Sequence, residues 1–300
     1  MYLSSPSKEK ETKDGENDIL RFGMSCMQGW RMNMEDAHIS EANFDDGICL
    51  FGVFDGHGGS EVAEYVGDNY GRILKATPGY KAKDYEKALK QSFLAIDEEM
   101  QTEKGKAKLR SYQQENTVAS MAGCTANVIL VVGKKVYCAN AGDSRSYMYT
   151  GTAGNMEAKP LSFDHKPESE IEKNRIQKAG GTIMMGRVNG NLNLSRAIGD
   201  FEYKQSTNLS PEEQMITSNP DIEVHDLNLP EDKFIIMGCD GVWEINTPEQ
   251  ICESIMKQIN EGVKTSDIMG KVLDDGLAPD TSTGLGCDNM SGVLIVFKSK

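Results

Sequence analysis

Short apolar segments bounded by Gly, Asp or Asn recur along the chain, and they predict β-strands with at least one buried face. Several are joined by tight turns, for example Gly133 between Val132 and Lys134, which favours antiparallel hairpins. The predicted strands cover residues 19–26, 48–54, 122–132, 135–140, 144–150, 234–239 and 291–297.

A second pattern, with apolar residues three or four positions apart, predicts amphipathic helices. Thr247 is a suitable N-cap for one of them, and Pro248 is a suitable first helical residue. Ser60 occupies the N-cap position of another helix, and Gly180 follows a third as a usual stop. The predicted helices cover residues 60–74, 84–104, 168–179 and 248–260.

The order of these elements predicts the fold class. Strands come in runs instead of alternating strictly with helices, which favours an α+β fold with antiparallel sheets over a doubly wound one. No linker interrupts residues 19–300, so they are predicted to form a single domain. Residues 1–18 have mixed charges and no hydrophobic period, and they are predicted to be a flexible polar tail. The basic stretch 104–110 is predicted to be a solvated loop.

Composition excludes several classes of protein. The formal net charge of −14 argues against a nucleic-acid partner. No apolar run approaches the roughly 18–20 residues of a membrane span. The 7 cysteines form no C-x-x-C pair, which favours free thiols in a reducing compartment. We therefore expect a cytoplasmic location, with the nucleus as a second compartment.

Two apolar strands end in the same way. LFGVFDGHGG (50–59) and FIIMGCDGVW (234–243) each run into Asp-Gly, at Asp55 and Asp240. Because burying an ionised carboxylate inside such a strand is costly, both side chains are expected where the chain leaves the core. An ordinary turn is the alternative for each, since Asp-Gly is a favoured turn dipeptide.

Further acidic residues lie at strand margins, namely Glu35, Asp36, Asp143 and Asp288. If these margins meet, the carboxylates repel one another unless cations compensate them. Oxygen donors without clustered Cys or His favour hard ions, so the predicted ligands are Mg²⁺ or Mn²⁺. Two such ions lower the pKa of a water and neutralise phosphoryl oxygens, which suits direct attack on a phosphoryl group.

Two neighbouring residues fit that reaction. Arg31 is a suitable partner for a phosphate dianion, and His57 could protonate a leaving alkoxide. A surface salt bridge is the alternative role for Arg31, and a backbone-bonded turn residue is the alternative for His57. The C-x5-R loop of cysteine-dependent phosphatases is absent, as are the P-loop and G-x-S-x-G motifs.

The motifs together resemble a known family, the metal-dependent serine/threonine protein phosphatases of type 2C (PPM). The resemblance extends from about residue 22 to residue 298. The matching segments are GWRMNMEDAH, LFGVFDGHGG, GCTANVILV, NAGDSR, IQKAGGTIMMGRVNGNLNLSRAIGD, FIIMGCDGVWEI and DNMSGVLIVF.

The resemblance implies a four-layer α-β-β-α sandwich with a binuclear metal site at one end. It also implies a monomer that hydrolyses phosphoserine and phosphothreonine in proteins without a covalent phosphoenzyme. The alternative is a pseudophosphatase scaffold that binds a partner protein. The presence of Asp55, Asp240, Asp288, Arg31 and His57 favours activity.

The resemblance also implies a role for each site residue. Asp55 would bridge two metals and the Gly56 carbonyl would bind one of them, with Glu35, Asp240 and Asp288 completing the set and Asp36 close by. Asp143, with Asp240, would match a weaker third-metal position. Arg31 would hold the phosphate and His57 would act as general acid. Residues 162–205, ending at Asp200, would match a flap beside the cleft. Glu244 stands where the family commonly has Asp, which bears on the third metal.

Overall fold

The computed structural model describes residues 2–112 and 122–298. The helices are α1 (Glu61–Ala76), α2 (Pro78–Lys81), α3 (Tyr85–Gln101), α4 (Glu103–Arg110), α5 (Glu170–Lys178), α6 (Pro248–Asn260) and α7 (Thr265–Gly276). The strands are β1 (Tyr2–Glu16), β2 (Leu20–Arg31), β3 (Ala37–Asp45), β4 (Ile48–Phe54), β5 (Gly56–His57), β6 (Gly123–Cys124), β7 (Ala126–Val132), β8 (Lys135–Ala141), β9 (Arg145–Thr152), β10 (Asn155–Pro160), β11 (Ile183–Met184), β12 (Arg187–Val188), β13 (Ile198–Gly199), β14 (Asp221–Asp226), β15 (Phe234–Gly238) and β16 (Met290–Phe297).

Two large antiparallel sheets form the centre of the fold. One has the strand order β1-β2-β16-β15-β9-β10, and the other has the order β14-β8-β7-β4-β3. Helices α1 and α3 pack on the second sheet, whereas α6 and α7 pack on the first. The predicted α+β class and the four-layer α-β-β-α sandwich are confirmed.

Strand β4 shows why the sequence of a central strand is apolar throughout. Phe51 and Val53 point toward the other sheet, where the Phe51 ring lies 5.3 Å from that of Phe22. Leu50 and Phe54 point the opposite way and pack in the cluster that contains α1 and α3. Both faces of the strand are therefore covered, which removes the polar alternation of a half-exposed strand.

The helical periodicity identifies the buried faces correctly. In α3 the four apolar residues at helical spacing, Leu89, Phe93, Ile96 and Met100, are fully buried. Helix α6 has the predicted bounds, and the Thr247 side chain accepts a hydrogen bond from the Gln250 N–H. Ser60 occupies the N-cap position of α1, but its side chain makes no capping hydrogen bond.

The predicted strand 122–132 is divided into β6 and β7 at Thr125. The Thr125 N–H donates to the Asp55 carbonyl (2.9 Å), and the Asp55 N–H donates to Thr125 Oγ1 (3.1 Å). Strand β6 consequently leaves the large sheet and joins a small one with β5 and β13. This exchange between Thr125 and Asp55 fixes the backbone beside the predicted metal residues.

The prediction of a flexible tail is wrong for residues 2–16, which form β1 along the edge of the first sheet. Backbone pairing to β2 requires no hydrophobic period, so the polar sequence of residues 2–16 carries no signal that predicts a strand. Side chains add to the attachment: Lys10 contacts Asp274 at 2.7 Å, and Asp14 accepts from the Ser266 N–H at 2.9 Å. Residue 1 lies outside the described residues.

The prediction of a loop over 104–110 is also wrong, since this stretch belongs to helix α4. Its first turn is capped by Thr102, whose side chain accepts from the Gly105 N–H at 3.0 Å. Leu109 is buried against the core beside α1 and α3. The cap, the buried Leu109 and the hydrogen bond from Lys108 to Asn69 Oδ1 (2.5 Å) hold this charged segment as a helix.

The seven cysteines are buried free thiols, as predicted. None of the helices in ranges 2–112 and 122–298 combines the length and apolar character needed to cross a membrane.

Candidate active site

A cleft of about 210 Å³ opens where β4 and β15 end and β16 begins. Every predicted site residue except Asp36 lines it, together with Thr125, Asn193 and Asn289. The lining residues from the prediction are Arg31, Glu35, Asp55, Gly56, His57, Asp143, Asp240 and Asp288. Residues that are up to 257 positions apart, as in the Arg31–Asp288 hydrogen bond, thus meet at one end of the sandwich.

Gly56 is required by a close backbone approach. A Cβ atom at this position would collide with the Glu35 carbonyl and would lie 3.2 Å from the Ala63 Cβ. The glycine therefore allows the segment that carries Glu35 to pass directly beside the one that carries Asp55.

The carboxylates are close enough to disturb one another's ionisation. Burial raises the pKa of Asp55 well above its usual value, and the charges of Asp36, Asp240, Asp143 and Asp288 raise it further. Burial, followed by Asp143 and Asp288, raises the pKa of Asp240 to about 7. Such a cluster retains protons unless positive charge compensates it.

Asp36 lies behind the cleft and completes the acidic group. Its Oδ2 atom is buried and has no hydrogen-bond partner among the residues that the structure describes. Oxygen atoms of Asp36 and Asp55 and the Cys239 sulfur all lie within 4.8 Å of one another. Burial raises the pKa of Cys239 well above its usual value, so that its thiol stays protonated. The available donors are therefore oxygens, which fit hard divalent cations.

Asn289 is a structural member of the site that sequence reasoning missed. Its side chain accepts from the Glu35 N–H at 3.0 Å and donates to the carbonyls of Gln28 and Asn33 at 2.8 and 2.9 Å. The residue thereby ties the loop that carries Glu35 to the start of β16. Its position directly after Asp288 was the available signal.

Glu244, the departure from the family pattern, does not line the cleft. Its Oε2 atom accepts from the Gly286 N–H at 2.6 Å, which holds the loop leading to Asp288. Asp143, the predicted third-metal residue, lines the cleft and forms an ion pair with Lys166.

Arg31 lies at the rim of the cleft with about half of its side chain exposed (49 %). Its Nη2 atom is 2.5 Å from Asp288 Oδ2. Partial burial lowers the pKa of the Arg31 guanidinium, but the adjacent Asp288 carboxylate more than offsets this effect, so the pKa is raised. Within ranges 2–112 and 122–298 the other guanidinium N–H groups make no hydrogen bond, and Arg31 lines the cleft in which an anion could accept from them.

His57 contacts a carboxylate that was predicted only as the end of the flap. Its Nε2 atom lies 2.7 Å from Asp200 Oδ2. Burial opposes the charged ring, but Asp200 raises the pKa of His57. No local sequence signal connects these residues, which are 143 positions apart.

An ionic network around the buried Glu172 carboxylate anchors the predicted flap. Arg196 donates to Glu172 Oε1 at 2.7 Å and to Asp221 Oδ1 at 2.8 Å. Arg175 also donates to Glu172, at 2.7 Å. Burial tends to raise the pKa of Glu172, but the two arginines lower it to about 2.

Comparison with known proteins identifies close relatives. The family model described as "Protein phosphatase 2C" matches residues 20–284. "Probable protein phosphatase 2C 5" of Paramecium tetraurelia is 46 % identical over 299 residues, covering 99 % of both chains. "Probable protein phosphatase 2C 21" of Arabidopsis thaliana is 42 % identical, covering 99 % of this chain and 92 % of its own. The crystal structure of serine-threonine phosphatase 2C from Toxoplasma gondii has the same fold, with a TM-score of 0.80 at 20 % identity over 99 % of both chains.

Proposed function

Because this chain belongs to the protein phosphatase 2C family of protein serine/threonine phosphatases, we propose that it hydrolyses phosphoserine and phosphothreonine by direct attack of water, assisted by divalent cations. The observation that carries this proposal is the meeting of five carboxylates with Arg31 and His57 in one cleft. No covalent phosphoenzyme is needed, since water is the nucleophile.

Two Mg²⁺ or Mn²⁺ ions would be held by the oxygen donors around Asp55. The proposed ligands are Glu35, Asp55, the Gly56 carbonyl, Asp240 and Asp288, with Asp36 behind them and Asp143 available to a third ion. The bound cations supply positive charge that lowers the pKa of water and neutralises phosphoryl oxygens. The raised pKa values of Asp55 and Asp240 support this assignment, because cations would relieve the repulsion.

The chain's own residues bind the substrate and move one proton. Arg31 binds the phosphate, and Asp288 orients its guanidinium. As the water oxygen bonds to phosphorus, the bond to the serine or threonine oxygen breaks. His57 donates a proton to that leaving oxygen, so that the products are inorganic phosphate and the free hydroxyl.

The direct test is phosphate release from a phosphoserine peptide by the purified full chain, after treatment with EDTA and then with added Mn²⁺ or Mg²⁺. We expect chelation to lower the rate at least about 100-fold and either metal to restore it. Ca²⁺ added at the same concentration serves as a charge-matched control. Undiminished hydrolysis in EDTA would contradict metal-assisted catalysis, and no turnover under any condition would support the scaffold alternative.

Replacing His57 by Gln tests the proton donor. The serine alkoxide is a poor leaving group that needs the proton, whereas p-nitrophenolate is a good one that does not. We therefore expect the rate of hydrolysis to fall by about 10²-fold or more on a phosphoserine peptide but by under about 10-fold on p-nitrophenyl phosphate. His38→Gln is the matched control, because His38 lies outside the cleft near Glu11. Equal losses on the two substrates would remove His57 from the role of acid.

We further propose that the protein acts as a monomer in the cytoplasm or nucleus. The seven buried free thiols support a reducing compartment.

A further inference from the structure

Asp200 is a buried acidic residue to which the reaction outlined above gives no role. Its residue surface is 1 % exposed, and its Oδ2 atom lies 2.7 Å from His57 Nε2. The contact is one hydrogen bond between a flap residue and the ring at the cleft. A carboxylate in that position accepts a hydrogen bond from a protonated ring nitrogen and thereby fixes the orientation of the ring.

The backbone around Asp200 is held from two sides. Its N–H donates to the Ala122 carbonyl at 2.9 Å, and the preceding Gly199 N–H donates to Asp97 Oδ1 at 2.8 Å. Lys204 then bridges the Asp97 carboxylate (2.5 Å) and the Ala197 carbonyl (2.8 Å). Helix α3, which carries Asp97, thus fixes the end of the flap.

The conformation of Asp200 is itself unusual. Its φ of 49° lies in the left-handed region, which non-glycine residues adopt infrequently, although Asp does so more often than most. The hydrogen bonds from the Asp200 N–H to Ala122 and from the Gly199 N–H to Asp97 hold the backbone in this conformation, in which the carboxylate contacts His57.

Gly123 leaves room for the pair. A Cβ atom at this position would lie 2.7 Å from His57 Nε2 and would overlap the Asp200 carboxylate. Strand β6 therefore passes directly against the hydrogen bond, and any larger residue would displace one of the two partners.

We propose that Asp200 is a positioning residue that holds the His57 ring by accepting a hydrogen bond from its Nε2–H. The Nδ1 atom is then the nitrogen that donates a proton to the leaving group. This inference rests on the proposed role of His57 as acid. In the reaction, the Nδ1 proton passes to the serine or threonine oxygen as the phosphorus–oxygen bond breaks. The ring is left neutral, with its remaining proton on Nε2 and still bonded to Asp200.

A double-mutant cycle tests the proposal, using Asp200→Asn, His57→Gln and the combination. With Mn²⁺ present, we expect Asp200→Asn to lower kcat on a phosphoserine peptide by about 10–100-fold, with KM changed less than about 2-fold. On p-nitrophenyl phosphate we expect a loss under about 3-fold. In the His57→Gln background Asp200→Asn should lower kcat on the phosphoserine peptide by less than about 2-fold, because the two residues act as one unit.

Asp97→Asn is the control for a purely structural effect, since Asp97 supports the same segment without touching His57. We expect it to lower the melting temperature and to affect both substrates equally. The proposal is overturned if Asp200→Asn lowers the rates on the phosphoserine peptide and on p-nitrophenyl phosphate equally. It is also overturned if Asp200→Asn lowers kcat as much in the His57→Gln background as in the wild type. In either case Asp200 only holds the flap in place.

A measurement on the wild-type protein covers the case in which Asp200→Asn does not fold. The chain has only 4 histidines, so the ring nitrogens can be assigned by ¹⁵N-labelled histidine NMR. We expect a proton on His57 Nε2, and a ring protonated on Nδ1 alone would overturn the proposal. Neither result depends on turnover, whereas absence of metal-dependent hydrolysis by the wild type would refute the proposed function itself.

Discussion

Replacing Asp240 by Asn is expected to lower the rate of phosphate release from a phosphoserine peptide by about three orders of magnitude while the protein stays folded. Asp240 begins the turn after β15, and its carboxylate lies within the mutual influence of Asp55, Asp143 and Asp288. The amide has nearly the same shape but no charge, so cation binding weakens while the packing is kept. Steady-state kinetics at saturating Mn²⁺ measure the loss.

Thermal unfolding of the same variant provides a reading that does not depend on activity. Burial and like charges raise the pKa of Asp240 from its usual 3.8 to about 7, so this group costs folding free energy increasingly as the pH rises from about 3.8 to about 7, and the full cost is present at pH 8. Asp240→Asn should therefore melt higher than the wild type in EDTA at pH 8. The rise in melting temperature on adding Mn²⁺, on the order of 5 °C for the wild type, should largely disappear.

Asp46→Asn is the matched control, because Asp46 is exposed in the turn before β4, at the other end of that strand from the cleft. It should leave turnover and the Mn²⁺-dependent melting shift unchanged. Turnover by Asp240→Asn close to that of the wild type would exclude Asp240 from the metal ligands.

Replacing Arg196 by Met is expected to destabilise the protein by about 3–5 kcal/mol, since it leaves the buried Glu172 carboxylate with one partner fewer. The Arg196 side chain is 8 % exposed and contributes two hydrogen-bonded ion pairs. The free energy of unfolding in urea measures the effect. Arg187→Met is the control, because Arg187 belongs to the same flap but is exposed and donates to a carbonyl in its own turn.

The pH dependence of this variant has a defined sign. Glu172 has a pKa of about 2 in the folded protein against its usual 4.5. Its contribution to stability is therefore fully present above about pH 4.5 and is lost as the pH falls toward 2. Without Arg196 the folded pKa moves back toward 4.5, so the variant should lose less stability across this range than the wild type. An identical loss would show that Glu172 does not depend on Arg196.

The elements with strong local signals were predicted closely. Strand β4 and helix α6 have the expected bounds, because an apolar run between turn residues and a capped amphipathic period are properties of neighbouring residues. Strand β1 and helix α4 were missed for the converse reason. Their charged sequences carry no period, and their structure depends on β2, Asp274 and the core around Leu109.

The chemistry of the candidate site shows the same division. The carboxylates around Asp55, together with Arg31 and His57, could be selected from the sequence, because acidic residues at the ends of apolar strands are conspicuous and their family motifs match. The partners Asn289, Lys166 and Asp200 were not assigned to them. These contacts join residues that are 254, 23 and 143 positions apart, so they follow from the tertiary arrangement of the segments and not from a helical or strand period.

The sequence by itself determined which oxygen donors are present, which strands deliver them and which family the chain belongs to, since these depend on residue type and short spacing. Tertiary structure alone decided that Asp200 contacts His57 and that Arg196 holds the flap. Hydrogen bonds and ion pairs depend on distances of a few ångströms, and neither the helical nor the strand period encodes a distance between residues 24, 25 or 143 positions apart, as in the Arg196 and Asp200 contacts.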